Sequence, residues 1–437
     1  MKSRSVLALA AVTAVTLTGC AMGGGAPAAQ SPAPSVSASA APSGSITVWS
    51  WDVAATALKR MASDYQASHT GTTINVVDIG YDNAYDKISV GLQAGSGLPD
   101  LLTIETDHAS GYLGQFPQGF VKLDSLIGDK KGDFDPSKWA AATGTDGSIY
   151  MAPWDSGTVA LYYRSDYLKA AGVDPNSLTT WETLIAAGEK IKAATGHTLM
   201  SIDVSSGATF GMLMQQQGAW IFDAQGNVAV NSPEAVQALT VLKTIHDKGL
   251  LKNVKGWDGR VSSTKAGDSA VHPEAVWWIG TLQGEMKELS GKFGVVALPA
   301  FGSGARTAAN GGSNLAVPAQ AKNPVLAADF AAWVLADAKN QASMMEQEGL
   351  FPAYLPALKE PIFAQPDTYF GGQKVYQLFA EQTALIPPVN YTSDYAKASD
   401  IVGNAAVAAV LNGKDPKTVL DDAAKQIATA TGRQIAG

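Results

Sequence analysis

Ten tryptophans are spread along this chain of 437 residues, and several stand in polar or glycine-bearing surroundings instead of apolar stripes. Trp51 precedes Asp52, Trp154 precedes Asp155, and the pair Trp277-Trp278 precedes Ile279-Gly280. An indole is a large rigid plate that suits the apolar face of a sugar ring, and a neighbouring carboxylate accepts hydrogen bonds from ring hydroxyls. These residue types side by side predict stacking platforms with acceptors next to them, which is the chemistry of a carbohydrate site. Trp139, Trp181, Trp220 and Trp333 are expected to pack instead. Trp333 in particular lies in the apolar helical run Phe330-Ala331-Ala332-Trp333-Val334.

Other chemistries find little support. Gly95-Ser96-Gly97 and Gly302-Ser303-Gly304 begin like dinucleotide loops but lack the third glycine, and there is no phosphate-cradling loop or serine-nucleophile elbow. The five histidines, His69, His108, His197, His246 and His272, form no zinc motif, and most are expected at the surface or in caps. Asp129, Asp133 and Asp135 lack the central glycine and closing glutamate of a calcium loop. We therefore expect no metal, no cofactor and no catalytic residue. A glycosidase pair of Glu105 and Asp107 would sit two apart on one strand wall and could not flank a bond from both sides. The net charge of −8 lacks the basic face that nucleic acid requires.

The N-terminus reads as an export signal. Lys2 and Arg4 precede an uncharged apolar stretch from Val6 to Val15, too short to span a bilayer. Leu17-Thr18-Gly19-Cys20 resembles the bacterial lipobox, so residues 1–19 are expected to be removed and Cys20, the only cysteine, to carry a diacylglyceryl group. Residues 20–44 follow as an uncharged Ala/Gly/Pro/Ser tether, with a reach on the order of 25 Å if flexible. The folded part then holds no disulfide, and its length exceeds what one core usually serves, so two lobes are expected.

From Ser45 onward, β-branched runs alternate with amphipathic helical stretches, the pattern of an α/β fold. SITVWSW from Ser45, TTINVVDI from Thr72 and DLLTIE from Asp100 read as strands, with helices over 54–69 and 83–93 between them. Strands are expected over 148–153 and 158–164, flanking Trp154-Asp155-Ser156-Gly157. Thr180 reads as a helix N-cap, and Asn323-Pro324 and Asp415-Pro416 as caps with proline at the first helical position.

Six segments carry a family resemblance: ITVWSW from Ile46, GLPDLLTIETD from Gly97, DGSIYMAPWDSGTVALYYRSDYLKAAGV from Asp146, TTWETLIAAGEKI from Thr179, FGVVALPAFG from Phe293 and AANGGSNLAVP from Ala308. Through these the chain resembles the family 1 extracellular solute-binding proteins, the maltose-binding-protein-like receptors of ABC importers. The resemblance implies a two-lobe, periplasmic-binding-protein-like α/β fold of the type II class, with a ligand cleft and three inter-lobe crossovers, placed at 153–158, 298–301 and 353–358. It divides the chain into lobe I (45–154 and 302–355) and lobe II (155–301 and 356–437).

It also implies ligand contacts at Trp51 and Asp52 after the first strand, at Asp107 and His108 after the third, and at Trp154 and Asp155 by the first crossover. One of Trp277 and Trp278 would be the stacking aromatic of the second lobe, opposite a turn at Gly312-Ser313. Ile104 stands where some maltose-type members carry an aromatic, which weakens a maltodextrin assignment. The expected partners are a small solute, a sugar or oligosaccharide, and ABC permease subunits. The membrane would be met through the lipid alone, at the outer face of the cytoplasmic membrane of a Gram-positive cell, by a monomer that binds no nucleic acid. A polyol, a glycerol-phosphate ester or a compatible solute is the alternative cargo.

Overall fold

The computed structural model of the chain describes residues 33–437 apart from 38–40, 303, 305, 306, 384 and 388. The expected leader, Cys20 and most of the tether lie outside the described residues. No described helix is long and apolar enough to cross a membrane. The tether reading changes at its described part. Lys122 donates its backbone N–H to the Pro34 carbonyl (2.9 Å), the Ser125 hydroxyl donates to the Val36 carbonyl (2.7 Å), and Val36 is buried. Val36 supplies an apolar side chain that the first core accepts, so composition alone understates the order of residues 33–37.

Ten strands form among the described residues: β1 (Gly44–Ser50), β2 (Thr72–Asp78), β3 (Leu101–Glu105), β4 (Met151–Pro153), β5 (Val159–Arg164), β6 (Thr198–Ile202), β7 (Leu251–Asn253), β8 (Ser269–Ala275), β9 (Phe293–Val296) and β10 (Ser313–Ala316). They make two sheets, ordered β2-β1-β3-β10-β4 and β7-β6-β8-β5-β9. In the first, β1 pairs in parallel with β2 and β3, while β10 runs antiparallel to β3 and β4, placing Ser313 beside Glu105 and Asn314 beside Pro153. The C-terminal ends of β1, β3 and β4 and the start of β10 therefore share one edge. That edge is where open α/β sheets hold ligands.

The second sheet is buried on both faces, as the period of two along β5 shows. Val159, Leu161 and Tyr163 enter one core cluster, Ala160 and Tyr162 another. Helices form where their ends are supplied locally. Thr180 accepts from the Thr183 N–H in a capping box, with Thr183 taking the role usually filled by Glu, and Asn323 and Asp415 accept from the Leu326 and Thr418 N–H groups.

The chain passes between the sheets three times. The first passage, Trp154–Thr158, leads from Trp154 in the first sheet's core to Val159 in the second sheet's core. The second falls later than the expected 298–301: Leu298 and Ala308 still belong to the second sheet's core and Ala309 pairs with Thr158, so the passage lies at Ala309–Gly312. The third follows Tyr354: Leu350, Ala353 and Tyr354 still pack with lobe I, whereas Leu358 and Phe363 pack with lobe II. The result is a two-lobe α/β fold with the cleft between the sheet edges.

Candidate functional site

Trp51 follows β1, and its ring meets Tyr81 and Tyr85 edge-on, each at 5.7 Å between centroids. Asp52 follows with φ +46°, the only non-glycine residue among those described with a positive φ. A left-handed aspartate at a helix start is strained and persists where its surroundings over-determine it, often at functional positions. Its carboxyl pKa is pushed up to about 6, first by burial and then by Asp78, Glu285, Asp258 and Asp82.

At the end of β3, one oxygen of Glu105 accepts the Tyr81 hydroxyl (3.1 Å) and the Tyr85 hydroxyl (2.8 Å). Burial, then the Asp107 carboxylate, raises its pKa to about 7 against the opposing pull of His108 and the two phenols. The next residues begin helix Thr106–Gln115, so Asp107 lies in a helix turn and not on the strand wall expected from the sequence. Burial would raise its carboxyl, yet the 2.8 Å contact with His108 holds it below the usual range. His108 in turn stacks flat on Tyr85, centroids 3.6 Å apart.

Glu105, Asp107 and His108 bring one donor atom each within 4.8 Å of one another, the one triplet among the described residues that could offer a metal three ligands. One atom of each is engaged within the protein: Glu105 Oε2 by two phenols, and Asp107 Oδ1 and His108 Nδ1 by each other. Glu105 and Asp107 stand together at one corner of lobe I, at the end of β3 and in the first turn of the helix after it.

Beneath this corner lies Lys138, 4% exposed, whose ammonium donates to the Thr106 hydroxyl (2.9 Å) and the Gly311 carbonyl (3.0 Å). Burial lowers its pKa, opposed by Asp155 and other carboxylates. Asp155 accepts the Ser313 N–H at 2.6 Å, and burial raises its pKa. Gly312, at φ +86°, has no room for a Cβ, which would meet the Lys138 ammonium and the Asp155 carbonyl. Asp155, Gly312 and Ser313 thus form the floor of the cleft.

Across the cleft, Trp277 follows β8 and donates its ring N–H to the Asn310 carbonyl (3.0 Å). Trp257 packs on it at 5.6 Å, and Arg260 lies over Trp257 at 5.1 Å while pairing with buried Glu274 at 2.7 Å. Trp51, Asp52, Tyr81, Glu105, Trp257 and Trp277 surround a cavity of about 240 Å³. A second cavity, about 440 Å³, continues past Glu105 and Gly311 and contains Asp107 and His108.

Of the sequence-predicted residues, Trp51, Asp52, Asp155, Trp277, Gly312 and Ser313 line the first cavity, and Asp107 and His108 the second. Trp154 and Trp278 do not join them. Each is 1% exposed. Along an extended chain Trp154 points opposite to Asp155 and enters lobe I's core, and on its helix Trp278 turns away from Trp277 into lobe II's core. Ile104 is also fully buried, so its identity reports packing. Trp220, expected to be core alone, lines the second cavity, and His272 departs from the surface or capping place expected of most histidines: it is buried, with its pKa lowered to about 3 by burial and by Arg164 and Arg260. Tyr81, Glu105, Trp257 and Arg260 also line the first cavity, and sequence reasoning did not single them out as binding residues. Trp257 stands before Asp258 as Trp51 stands before Asp52, so the same signal could have found it.

Comparison with known proteins places this geometry in a family. The chain is similar to the lactose-binding protein of Rhizobium radiobacter, 31% identical over 402 residues, covering 89% of this chain and 93% of that one. It is 27% identical over 365 residues to the arabinooligosaccharide-binding protein of Bacillus subtilis strain 168, covering 81% and 84%. In three dimensions it matches the ABC transporter associated binding protein from B. animalis subsp. lactis, solved with beta-1,6-galactobiose, with a TM-score of 0.80 at 23% identity over 90% of this chain and all of that one. The family profile described as bacterial extracellular solute-binding protein matches residues 60–370, and with it the two lobes, the crossovers and the cleft find their context: the chain belongs to the bacterial extracellular solute-binding proteins.

Proposed function

We propose that the chain captures a sugar or oligosaccharide in the cleft and delivers it to the permease of an ABC importer. One juxtaposition carries this reading: the indole plates of Trp277 and Trp257 face the carboxylates of Asp52 and Glu105 across a cavity of about 240 Å³. A pyranose presents an apolar face and a rim of hydroxyls, and the two walls offer a partner for each. The relatives named for lactose and arabinooligosaccharides support the same cargo class. A phosphate ester is disfavoured, because Arg260 is the one cation lining this cavity among the described residues and Glu274 already holds it.

In this reading the protein is a receptor and not a catalyst, exported by its leader and held by lipid on Cys20 at the outer membrane face as a monomer. A lipid tether raises the receptor's effective concentration at its permease. Calorimetric titration of the purified chain against saccharides, polyols and glycerol phosphates tests the cargo. Binding confined to saccharides is expected. Binding of a polyol or phosphate ester with no saccharide bound would overturn it.

A further inference from the structure

A lysine is seldom fully buried, because taking an ammonium out of water is costly unless counter-charge and hydrogen bonds offset it. Lys138 is nonetheless 4% exposed. It belongs to the short helix Pro136–Ala141, and both of its hydrogen bonds go to neutral acceptors, the Thr106 hydroxyl and the Gly311 carbonyl. A neutral donor could satisfy those two. The charge finds its counterparts further out: Asp155 in the first passage, Asp135 at the N-cap of the lysine's own helix, and Asp107 and Glu105 around the end of β3.

The ammonium stands where the passages between the lobes converge. Gly311–Gly312 ends the second passage, and the Gly312 carbonyl accepts both the backbone N–H and the hydroxyl of Thr106, each at 2.9 Å. Thr106 therefore receives the lysine's proton and hands its own to the same turn. On either side of that turn the second passage is fastened to the first, Asn310 donating its N–H to the Gly157 carbonyl (2.8 Å) and Ser313 donating to the Asp155 carboxylate. The chain just before the third passage joins at the start of the lysine's helix, where the Asp135 N–H reaches the Ala353 carbonyl (2.9 Å). Charge follows the same convergence. Burial raises the Asp155 carboxyl, and Lys138 is the foremost influence opposing it. Burial would raise Asp107 as well, but His108 and then Lys138 draw it below the usual range.

We propose that Lys138 is a positioning residue for the ligand: its ammonium pins the Gly311–Gly312 turn to Thr106, and its charge keeps Asp155 and Asp107 available as hydrogen-bond acceptors. The inference rests on the receptor reading and adds a residue that lines neither cavity and acts on both from below. A carboxyl that kept its proton would turn a donor toward the ligand in place of an acceptor. Asp155 faces the first cavity and Asp107 the second, so one buried cation serves both.

Melting curves of the native chain, Lys138→Met and Lys138→Arg at pH 4 and pH 8 test the charge without any ligand. Without the ammonium, Asp155 and Asp107 hold their protons to higher pH in the folded chain, so the variant loses stability relative to the native chain as pH rises. Lys138→Met is expected to fall below native by at least about 2 °C more at pH 8 than at pH 4, and Lys138→Arg to differ from native equally at both. Lys138→Gln, which keeps a donor but no charge, replaces the Met variant if that one melts too low to compare. A gap that is the same at both pH values overturns the role of the charge. Calorimetric titration at pH 8 with lactose, galactose, glucose and arabinose reads the positioning. For whichever of these the native chain binds, the uncharged variant is expected to lose about tenfold in affinity and Lys138→Arg to lose less. An affinity within about twofold of native in the uncharged variant overturns the positioning role. If the native chain binds none of the four sugars, the carbohydrate reading falls, and the melting gap still decides the role of Lys138.

Discussion

The two walls of the cleft are built from different materials. Lobe I presents side chains that follow its strand ends, Asp52, Glu105, Asp107 and His108, with Glu105 accepting from two phenols and Asp107 paired with His108. Lobe II presents plates, Trp257 and Trp277 in one compartment and Trp220, Tyr391 and Tyr395 in the other. Hydrogen-bond acceptors select a ligand through direction, whereas rings gain by area and are tolerant of rotation. The difference implies a division of labour: lobe I would set which hydroxyls fit, and lobe II would supply the binding energy that closes the cleft.

Removing a plate should therefore have the largest effect. Trp277→Ala deletes a stacking surface and the hydrogen bond to Asn310. Loss of an aromatic anchor of this kind amounts to about 2 kcal/mol or more, about thirtyfold in Kd. Calorimetry on the variant, with its melting curve beside the native one, checks this. An affinity within about threefold of native would move the anchor elsewhere and break the proposed division.

How much of this was legible in the sequence follows the same line. Asp52, Asp107 and His108 of lobe I's wall could be read because they follow β-branched runs, and a strand end fixes where the next side chains go, whereas Glu105 was read as part of the strand itself and Tyr81 reaches the wall only through packing. Caps at Thr180, Asn323 and Asp415 were legible for a similar reason, since the donor lies three residues away. Lobe II's wall could not be assembled, because Trp220, Trp257, Trp277 and Tyr391 come from four distant stretches that meet only through tertiary packing. The Trp-Asp context failed at Trp154, where the pleat decides the direction of the side chain whatever its neighbour. At Trp277-Trp278 the context named the pair, and helix phase chose the member.

On the polar wall, Glu105→Gln separates recognition from stability. The Glu105 pKa is raised from 4.5 to about 7, so between those values the folded chain binds more of this proton than the unfolded chain. The associated stability is present below pH 4.5 and lost as pH rises through 7. Above pH 7 the carboxylate is buried near Asp107, and an amide in its place should raise Tm at pH 8, with the gain shrinking toward pH 5. Affinity should move the other way. A carboxylate accepts hydroxyl hydrogen bonds more strongly than an amide, so the variant should bind sugar about five- to tenfold more weakly at pH 8 and match the native protein at pH 5. A pH-independent difference in affinity would detach Glu105 from the ligand.

The smallest expected effect is at Asp52, where the two walls act on one residue. Asp78 and Asp82 crowd it from lobe I, and Asp258 and Glu285 from lobe II, so closing an empty cleft brings like charges together. Asn tolerates the left-handed backbone that Asp52 adopts, so Asp52→Asn removes charge while leaving φ near +46° accessible. Its pKa is raised from 3.8 to about 6, so the stability it contributes is lost as pH rises through 6, and the variant should melt higher than native at pH 8 but level with it near pH 4. Two opposed terms then meet in affinity, a weaker acceptor and an easier closure, and a net loss of about two- to threefold is expected. A melting difference that stays constant from pH 4 to pH 8 would assign the effect to the backbone at Asp52 and not to charge across the cleft. In that case like charge on the two walls does not oppose closure of the cleft.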